Sequence, residues 1–162
     1  MRHINALNNN QGFTITEVLT VVVIVGILMA FSAPSFLAWN HRKQVDSAIT
    51  NIEGAIKEAQ RQAIAKSKTC NIAFDTTIPR VTSNGNTCLI TGDRTLENVS
   101  LATSISDFNF NLSGESSSQV TVVVTHNVNN NLKKCLVVSS PLGLIGKGDY
   151  TGTGTTFANC NP

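Results

Sequence analysis

The chain has 162 residues, of which 41% are hydrophobic and 14% charged, and its formal net charge is +2. This composition excludes a disordered chain, and the length allows one ordinary domain plus a further element. From residue 68 to the C-terminus six cationic side chains balance six acidic ones, which argues against a strongly basic nucleic-acid footprint. Lys133 and Lys134 form the one local basic patch that is left as a candidate for contact with nucleic acid.

The chain begins with a polar segment and continues with an apolar one. Residues 1–12 contain no hydrophobic stretch, unlike an ordinary secretory signal, whose apolar core lies before its cleavage site. From Val18 to Ala33 the only polar side chains are Thr20 and Ser32. A helix of about 20 residues spans a hydrocarbon layer of about 30 Å, so residues 13–34 are predicted to cross a membrane once.

Glu17 is the one charged residue in this apolar segment. A carboxylate inside a bilayer costs about 2.5 to 3.5 kcal/mol on insertion scales, so it normally has a partner or a function. Cleavage after Gly12 would give Phe13 a free amine, and that amine, on the same or a neighbouring subunit, would neutralise Glu17. The alternative is that Glu17 lies close enough to the membrane surface to stay hydrated.

Eight residues and the apolar run that follows them to Pro34 match an established signal: Gly12-Phe13-Thr14-Ile15-Thr16-Glu17-Val18-Leu19. They resemble the type III signal of type IV pilins and type II secretion pseudopilins. The resemblance implies cleavage after Gly12 by a prepilin peptidase and N-methylation of Phe13. It also implies that Glu17 guides docking by pairing with an N-terminal amine in the growing filament.

The same resemblance implies a location and partners. The chain would lie in a bacterial inner membrane as a single-pass protein with its C-terminal domain outside, and would then enter a pilus or pseudopilus. Its partners would be other pilin or pseudopilin subunits, the prepilin peptidase and the inner-membrane assembly platform. Two residues depart from the pattern: Thr16 stands where an aliphatic residue is usual, and Arg2 is the only Arg or Lys of the leader, which favours a cytoplasmic leader weakly.

Residues 35–67 continue the helix. Pro34 is expected to kink or loosen it. An alternating spacing of four and three residues then places an apolar stripe on one face, which is predicted to pack on the C-terminal sheet: Val45, Ile49, Ile52, Ile56, Ala59 and Ala63. Charged residues between them are expected to stay in water: Lys43, Asp46, Glu53, Lys57 and Arg61. Upstream, Trp39, His41, Arg42 and Lys43 indicate a membrane exit.

Residues 68–162 read as a β-rich domain. Five runs are predicted as strands of an antiparallel sheet: 70–74, 87–91, 108–112, 119–125 and 134–139. In the third run Phe108, Phe110 and Leu112 alternate with asparagines, which predicts one buried and one wet face. Residues 83–86 are predicted to form a turn. The fold class is therefore α+β, and the resemblance implies that it is pilin-like, with a long N-terminal helix packed on a small antiparallel β-sheet domain.

Four cysteines occur in this domain: Cys70, Cys88, Cys135 and Cys160. They form no CxxC pair and no histidine stands at metal-ligand spacing, so no metal or other cofactor is expected. An even count after a membrane anchor indicates an oxidising compartment and two disulfides with three possible connectivities. Pairing of sequence neighbours favours Cys70 with Cys88 and Cys135 with Cys160, and each bridge would contribute about 3 kcal/mol. Reduced core cysteines are the alternative.

A second resemblance covers residues 135–147. This segment is similar to the closing hairpin of H-type pseudopilins and FimT-type minor pilins. Some FimT-like proteins bind DNA there through a Gly-Arg-x-Arg loop, whereas this chain has Gly143-Leu144-Ile145-Gly146 with only Lys147 nearby. Without the two arginines a phosphate contact loses its main attraction, so the DNA role is not carried over.

No residues suggest catalysis. His3, His41 and His126 are dispersed, and residues 151–156 lack the GK[ST] ending of a phosphate loop and are predicted to be a flexible loop. The sequence therefore predicts a non-catalytic structural subunit, a minor pilin or pseudopilin of a type IV pilus or type II secretion pseudopilus. The alternative is a competence minor pilin that binds DNA during uptake. A membrane-anchored enzyme is the third class, and it lacks a nucleophile, base and orienter.

Overall fold

The computed structural model describes residues 12–83 and 88–161. The chain divides into two units, one ending at Trp39 and one beginning at Asn40. The first element is α1 (Ile15–Lys66). Nine strands follow: β1 (Cys70–Asp75), β2 (Arg80–Thr82), β3 (Arg94–Thr95), β4 (Val99–Thr103), β5 (Asp107–Phe110), β6 (Val120–His126), β7 (Lys133–Val138), β8 (Ile145–Tyr150) and β9 (Cys160–Asn161).

Both ends of α1 are capped. At the start the Glu17 backbone N–H donates to Thr14 Oγ1 at 3.3 Å, and the Val18 N–H to Thr14 O at 3.2 Å. Thr14 thus acts as an N-cap. At the end Ser67 adopts a left-handed φ of 48°, and the Lys68 N–H donates to Ala63 O at 3.1 Å. This arrangement is a Schellman motif, which supplies hydrogen-bond donors to carbonyl groups at the end of the helix that have no partner within the helix.

The predicted apolar stripe of the second unit is buried. All six of its members are at most 2% exposed, and Ala48 and Ala55 widen it. Glu53 differs from the expectation for the charged face, because its side chain is only 16% exposed and lies against Lys57 and Lys147. The stripe therefore supplies the helix contribution to the core of the domain.

Two antiparallel sheets complete this core. The first has strand order β3-β2-β1-β5 and the second β4-β6-β7-β8-β9. Ile72, Phe74, Phe108 and Phe110 from the first sheet join helix residues and the inner faces of β6 and β7 in one cluster. On the other face of the second sheet a smaller cluster holds Val123, Cys135 and Tyr150, with Cys160 packed against it. Because both faces of β6 are covered, its burial departs from simple alternation.

Four of the five predicted strands exist with shifted ends, as β1, β5, β6 and β7. The strand predicted at 87–91 is wrong: residues 88–91 form a bend and turn, and residue 87 lies outside the described residues. The backbone N–H groups of Ile90 and Thr91 donate to the helix residue Glu58. The predicted turn at 83–86 lies outside the described residues except for Ser83.

The burial predicted for Leu112 is also wrong, whereas that of Phe108 and Phe110 is confirmed. Leu112 is 54% exposed, in a turn after β5. Asn111 Oδ1 accepts the backbone N–H groups of Ser113 and Glu115, both at 2.9 Å. This local bonding ends the strand before Leu112.

Candidate assembly site

The N-terminal unit contains a helix whose large apolar side chains are exposed. Phe13 is 82% exposed and precedes the helix, and Leu28 and Met29 near the far end are 61% and 65% exposed. The intervening large apolar side chains are also exposed, each by 41% or more: Ile15, Val18, Leu19, Val21, Val22, Val23, Ile24, Val25 and Ile27. A face this apolar requires lipid or another protein around it.

Glu17 lies in the first turn of this helix. Together with Phe13, Val18, Val21 and Val22 it lines a shallow apolar depression of about 270 Å³. Between Phe13 and Asn40 the sequence contains no other charged residue, so the N-terminal unit offers no side-chain countercharge after the leader. The arrangement suits a countercharge brought by another molecule or by a new amino terminus.

Two helical stretches follow each other in this part of α1. They are Ile15–Ala30 and Ser35–Lys66. No single helix among the described residues is long and apolar enough to cross a bilayer, whereas the two stretches taken together meet the criteria of length and composition. The backbone at Pro34 is helical. A kink caused by Pro34 and a single span at 13–34 both stay predictions.

The closing hairpin of the second unit consists of β7 and β8. The two strands are antiparallel, with Val138 opposite Ile145 and Leu136 opposite Lys147. Lys147 Nζ lies 2.8 Å from Glu53 Oε2 on the helix. Hydrogen bonds from Lys147, then from Lys57, lower the pKa of Glu53 against the opposing effect of burial. Lys147, the cation next to residues 143–146, therefore bonds to the protein itself.

Gln60 joins the helix to two loops of the domain. Its Nε2 donates to Gly114 O at 2.8 Å and to Gly143 O at 3.4 Å. The same loops bond to each other, since the Ser116 N–H donates to Pro141 O at 2.8 Å. The Ser140–Pro141 peptide bond is cis. The closing hairpin is thus held to the helix at both Gln60 and Glu53.

The Lys133–Lys134 patch is also partly neutralised. Lys134 Nζ lies 2.8 Å from Asp46 Oδ1 and 3.7 Å from Asp149 Oδ1. Its hydrogen bond to Asp46 raises the pKa of Lys134. Lys133 Nζ donates to Gly152 O at 3.1 Å. Both lysines therefore engage groups of the domain.

Disulfides join Cys70 to Cys88 and Cys135 to Cys160. The first pair is nearly fully buried in the main core, with both cysteines 2% exposed. The second pair lies on the outer face of the second sheet, where it ties the last strand to β7. Both bridges follow the pairing of sequence neighbours.

Chemistry is sparse elsewhere among the residues that the structure describes. No group of three or more His, Cys, Asp or Glu side chains there is placed to hold a metal ion. The structure does not bring Glu17 together with any other predicted site residue except Phe13. Glu53, Glu58 and Gln60 were not singled out as positioning residues from the sequence, because an isolated polar residue on a helix carries no signal of its distant partner.

Comparisons with known proteins agree with this geometry. Residues 7–33 match the model of the prokaryotic N-terminal methylation motif. The chain is 38% identical over 58 residues to a fimbrial protein of Pseudomonas aeruginosa, covering 36% of this chain and 37% of that protein. It is 40% identical over 52 residues to the type IV major pilin protein PilA of Myxococcus xanthus, covering 32% and 23%. The chain thus spans only about a third of the first of these relatives.

Solved structures resemble most of the chain. The type IV minor pilin FimU of Pseudomonas aeruginosa superposes with a TM-score of 0.54 at 12% identity, covering 67% of this chain and 90% of FimU. The minor pseudopilin EpsH of the Vibrio cholerae Type 2 Secretion System has a TM-score of 0.50 at 14% identity, with coverage of 64% and 94%. At these identities the likeness concerns the fold.

The chain combines a methylation motif at its N-terminus with a long helix and two antiparallel sheets that pack on that helix. This combination defines a pilin-like protein. The chain resembles type IV pilins and pseudopilins in its N-terminal motif and in its fold. Its pilin-like α+β fold, with a long helix on antiparallel sheets and two disulfides, is confirmed.

Proposed function

We propose that this chain is a minor pilin or pseudopilin, a non-catalytic structural subunit of a type IV pilus or type II secretion pseudopilus. The observation that carries the proposal is the exposed apolar helix with a single carboxylate, Glu17, in its first turn. The minor assignment is supported by the fold shared with FimU and EpsH, which are a minor pilin and a minor pseudopilin. Surface fibres built mostly of this chain would contradict the minor assignment.

Processing is proposed at the Gly12–Phe13 bond. Phe13 is 82% exposed and the helix begins only at Ile15, so the bond precedes regular structure. Prepilin peptidase would remove residues 1–12 on the cytoplasmic side of the inner membrane and the new Phe13 amine would be methylated. The segment 13–34 would then hold the subunit in that membrane, with the domain outside, until the assembly platform lifts it into the filament.

Glu17 is proposed to pair with the Phe13 amine of a neighbouring subunit in the filament. The carboxylate and Phe13 border the same apolar depression, from which water would be displaced when helices pack. An opposite charge in an apolar environment gains far more than it would in water. The pairing would therefore set the axial position at which a new subunit docks.

The processing proposal is tested by intact and N-terminal peptide mass spectrometry of the protein from its native membrane, with and without reductant. A mature chain beginning at Phe13, methylated, and four hydrogens lighter before reduction would support it. A chain still beginning at Met1 in cells with active prepilin peptidase would overturn it.

The docking proposal is tested with Glu17→Gln, which keeps the side-chain size and removes the charge. Cleavage after Gly12 should persist, while incorporation into filaments, measured by immunoblotting of sheared or crosslinked filament fractions, should fall at least about tenfold, equivalent to about 1.4 kcal/mol. Thr20→Val is the matched control, because Thr20 Oγ1 donates to Thr16 O within its own helix. Normal incorporation of the Glu17→Gln chain would overturn the role of Glu17.

A further inference from the structure

His126 is a buried titratable residue that the proposed assembly does not use. It is the last residue of β6 and is 2% exposed. Its ring lies against that of His41 on the helix, with ring centroids 4.3 Å apart. A histidine in this position is enclosed between α1 and the turn that links β6 to β7.

Hydrogen bonds establish which ring nitrogen carries the proton. The backbone N–H groups of Val128 and Asn129 both point at His126 Nδ1, each at 3.1 Å. Two donors require Nδ1 to be an unprotonated acceptor. Nε2 must then carry the hydrogen and donate to Gln44 Oε1, which lies 2.8 Å away. The neutral ring therefore bonds to the helix through one nitrogen and to the turn through the other.

A second proton has no place in this arrangement. It would have to occupy Nδ1, where two N–H groups already point, and it would turn an acceptor into a donor. The buried imidazolium would also face His41 without an acidic partner. Other ionisable side chains on the elements around the ring are exposed or bond elsewhere: Arg42, Lys43, Asp46, Glu97 and Lys133.

We propose that His126 is an acid-sensitive latch that holds the β6–β7 turn to the helix at neutral pH and releases the turn on protonation. Opening would break the bonds to Val128 and Asn129 and separate the turn from Gln44. The helix residues concerned stand at the start of the domain, which begins at Asn40. The latch is a property of the folded domain and stands independently of filament assembly.

The direction of the pH effect follows from the burial of the ring. Burial, with a smaller contribution from the nearby His41, lowers the pKa of His126 below its ordinary value of 6.5. The unfolded chain therefore binds the proton more readily than the folded one. The stability that the latch contributes is complete above about pH 6.5 and declines as the pH falls from there to the lower pKa of the folded state.

The test uses the full chain in detergent micelles, with imidazole NMR shifts of His126 and hydrogen exchange of the Val128 and Asn129 amides from pH 7.5 to 4.5. After correction for intrinsic rates, exchange at both amides should rise by up to about tenfold per pH unit as the pH falls from about 6.5 toward the lower pKa of folded His126, and should level off below that pKa, as one linked proton requires. An ordinary His126 titration with unchanged protection of both amides would overturn the latch.

His126→Asn separates the latch from general acid effects. The Asn oxygen stands near the position of Nδ1, so it can accept the same amides without titrating. Protection of Val128 and Asn129 should then become independent of pH, whereas His41→Asn should keep the transition and move it upward by removal of a neighbouring charge. A transition that persists in His126→Asn would overturn the proposal. The wild-type NMR titration decides the matter even where a variant does not fold.

Discussion

Glu58 is a single helix residue that organises a loop without regular structure. Its carboxylate accepts the Ile90 N–H at 2.7 Å, the Thr91 N–H at 3.4 Å and Arg94 Nη2 at 2.7 Å. Burial alone would raise the pKa of Glu58, but these donors outweigh it and lower the pKa below its ordinary value of 4.5. The ionised carboxylate is therefore the form that holds the loop.

Glu58→Gln should lower the free energy of unfolding by about 1 to 3 kcal/mol at neutral pH, because charge-assisted bonds to a largely buried side chain are lost. In the wild type the Glu58 contribution is present above about pH 4.5 and is lost as the pH falls through the lower folded-state pKa. Urea unfolding from pH 7 to 3 measures both effects. Glu97→Gln, at an exposed position, is the control, and equal acid slopes for wild type and Glu58→Gln would contradict this role.

Gly143 occupies a crowded position with a left-handed φ of 65°. A methyl group on its Cα would lie 2.8 Å from Gln60 Nε2 and 2.9 Å from Gly114 O. Both the backbone conformation and the space therefore favour glycine there.

Gly143→Ala should destabilise the domain by about 1 to 3 kcal/mol, since it adds strain and disturbs the Gln60 bridge. Gly146→Ala, three residues further on, meets no atom within 4 Å and should change stability little. Thermal and urea unfolding of the two variants side by side provide the measurement. A loss as large in Gly146→Ala would show that strand propensity, not crowding, sets the cost.

At the scale of elements, the two disulfides have different surroundings. Cys70 and Cys88 are each 2% exposed and lie in the core under the helix, whereas Cys160 is only partly buried at the end of the chain. Thiol–disulfide exchange requires a thiolate to reach a sulfur atom, so access controls which bridge reacts first.

Mild reductant under native conditions should open the Cys135–Cys160 bridge before the Cys70–Cys88 bridge. Alkylation at successive times, followed by peptide mass spectrometry, assigns the order. The same reduction in denaturant, where access is equal, is the control. Earlier alkylation of Cys70 and Cys88 under native conditions would mean that the core opens more readily than the chain end.

At the scale of the whole molecule, the two units have opposite surfaces. The unit from Asn40 onward contains the main core, both sheets and both disulfides. The preceding unit exposes its apolar side chains along the helix. Each unit is therefore suited to a different environment.

A chain beginning at Asn40 should fold alone, remain monomeric in aqueous buffer and form both disulfides when expressed in an oxidising compartment. The full chain without detergent or lipid should self-associate, because its exposed apolar helix can be buried against the helices of other copies. Light scattering after size exclusion, circular dichroism and disulfide mapping test this. The full chain in detergent is the reference, and an unfolded or aggregated Asn40 chain would show that the domain depends on the preceding helix.

Local patterns in the sequence determined the parts of this protein that repeat or are short and contiguous. The six-member stripe that begins at Val45 is buried as predicted, because a helical period reports directly on one face. The signal that contains Gly12, Phe13 and Glu17 could be read for a different reason, because it is one contiguous run of residues. The disulfide pairing followed because each cysteine pair stands close in sequence.

Only the tertiary structure decided the features that depend on residues far apart. Glu58 accepts a hydrogen bond from the N–H group of Ile90, which is 32 residues away and lies in a run that was predicted to be a strand. Lys147 joins Glu53 across 94 residues, and His126 joins Gln44 across 82. Strands such as β3 and β9 have two residues each, too few for a period to show. The spacing of apolar residues along one helix or strand indicates which of its faces is buried. The partner of a polar side chain, by contrast, depends on how the whole chain folds.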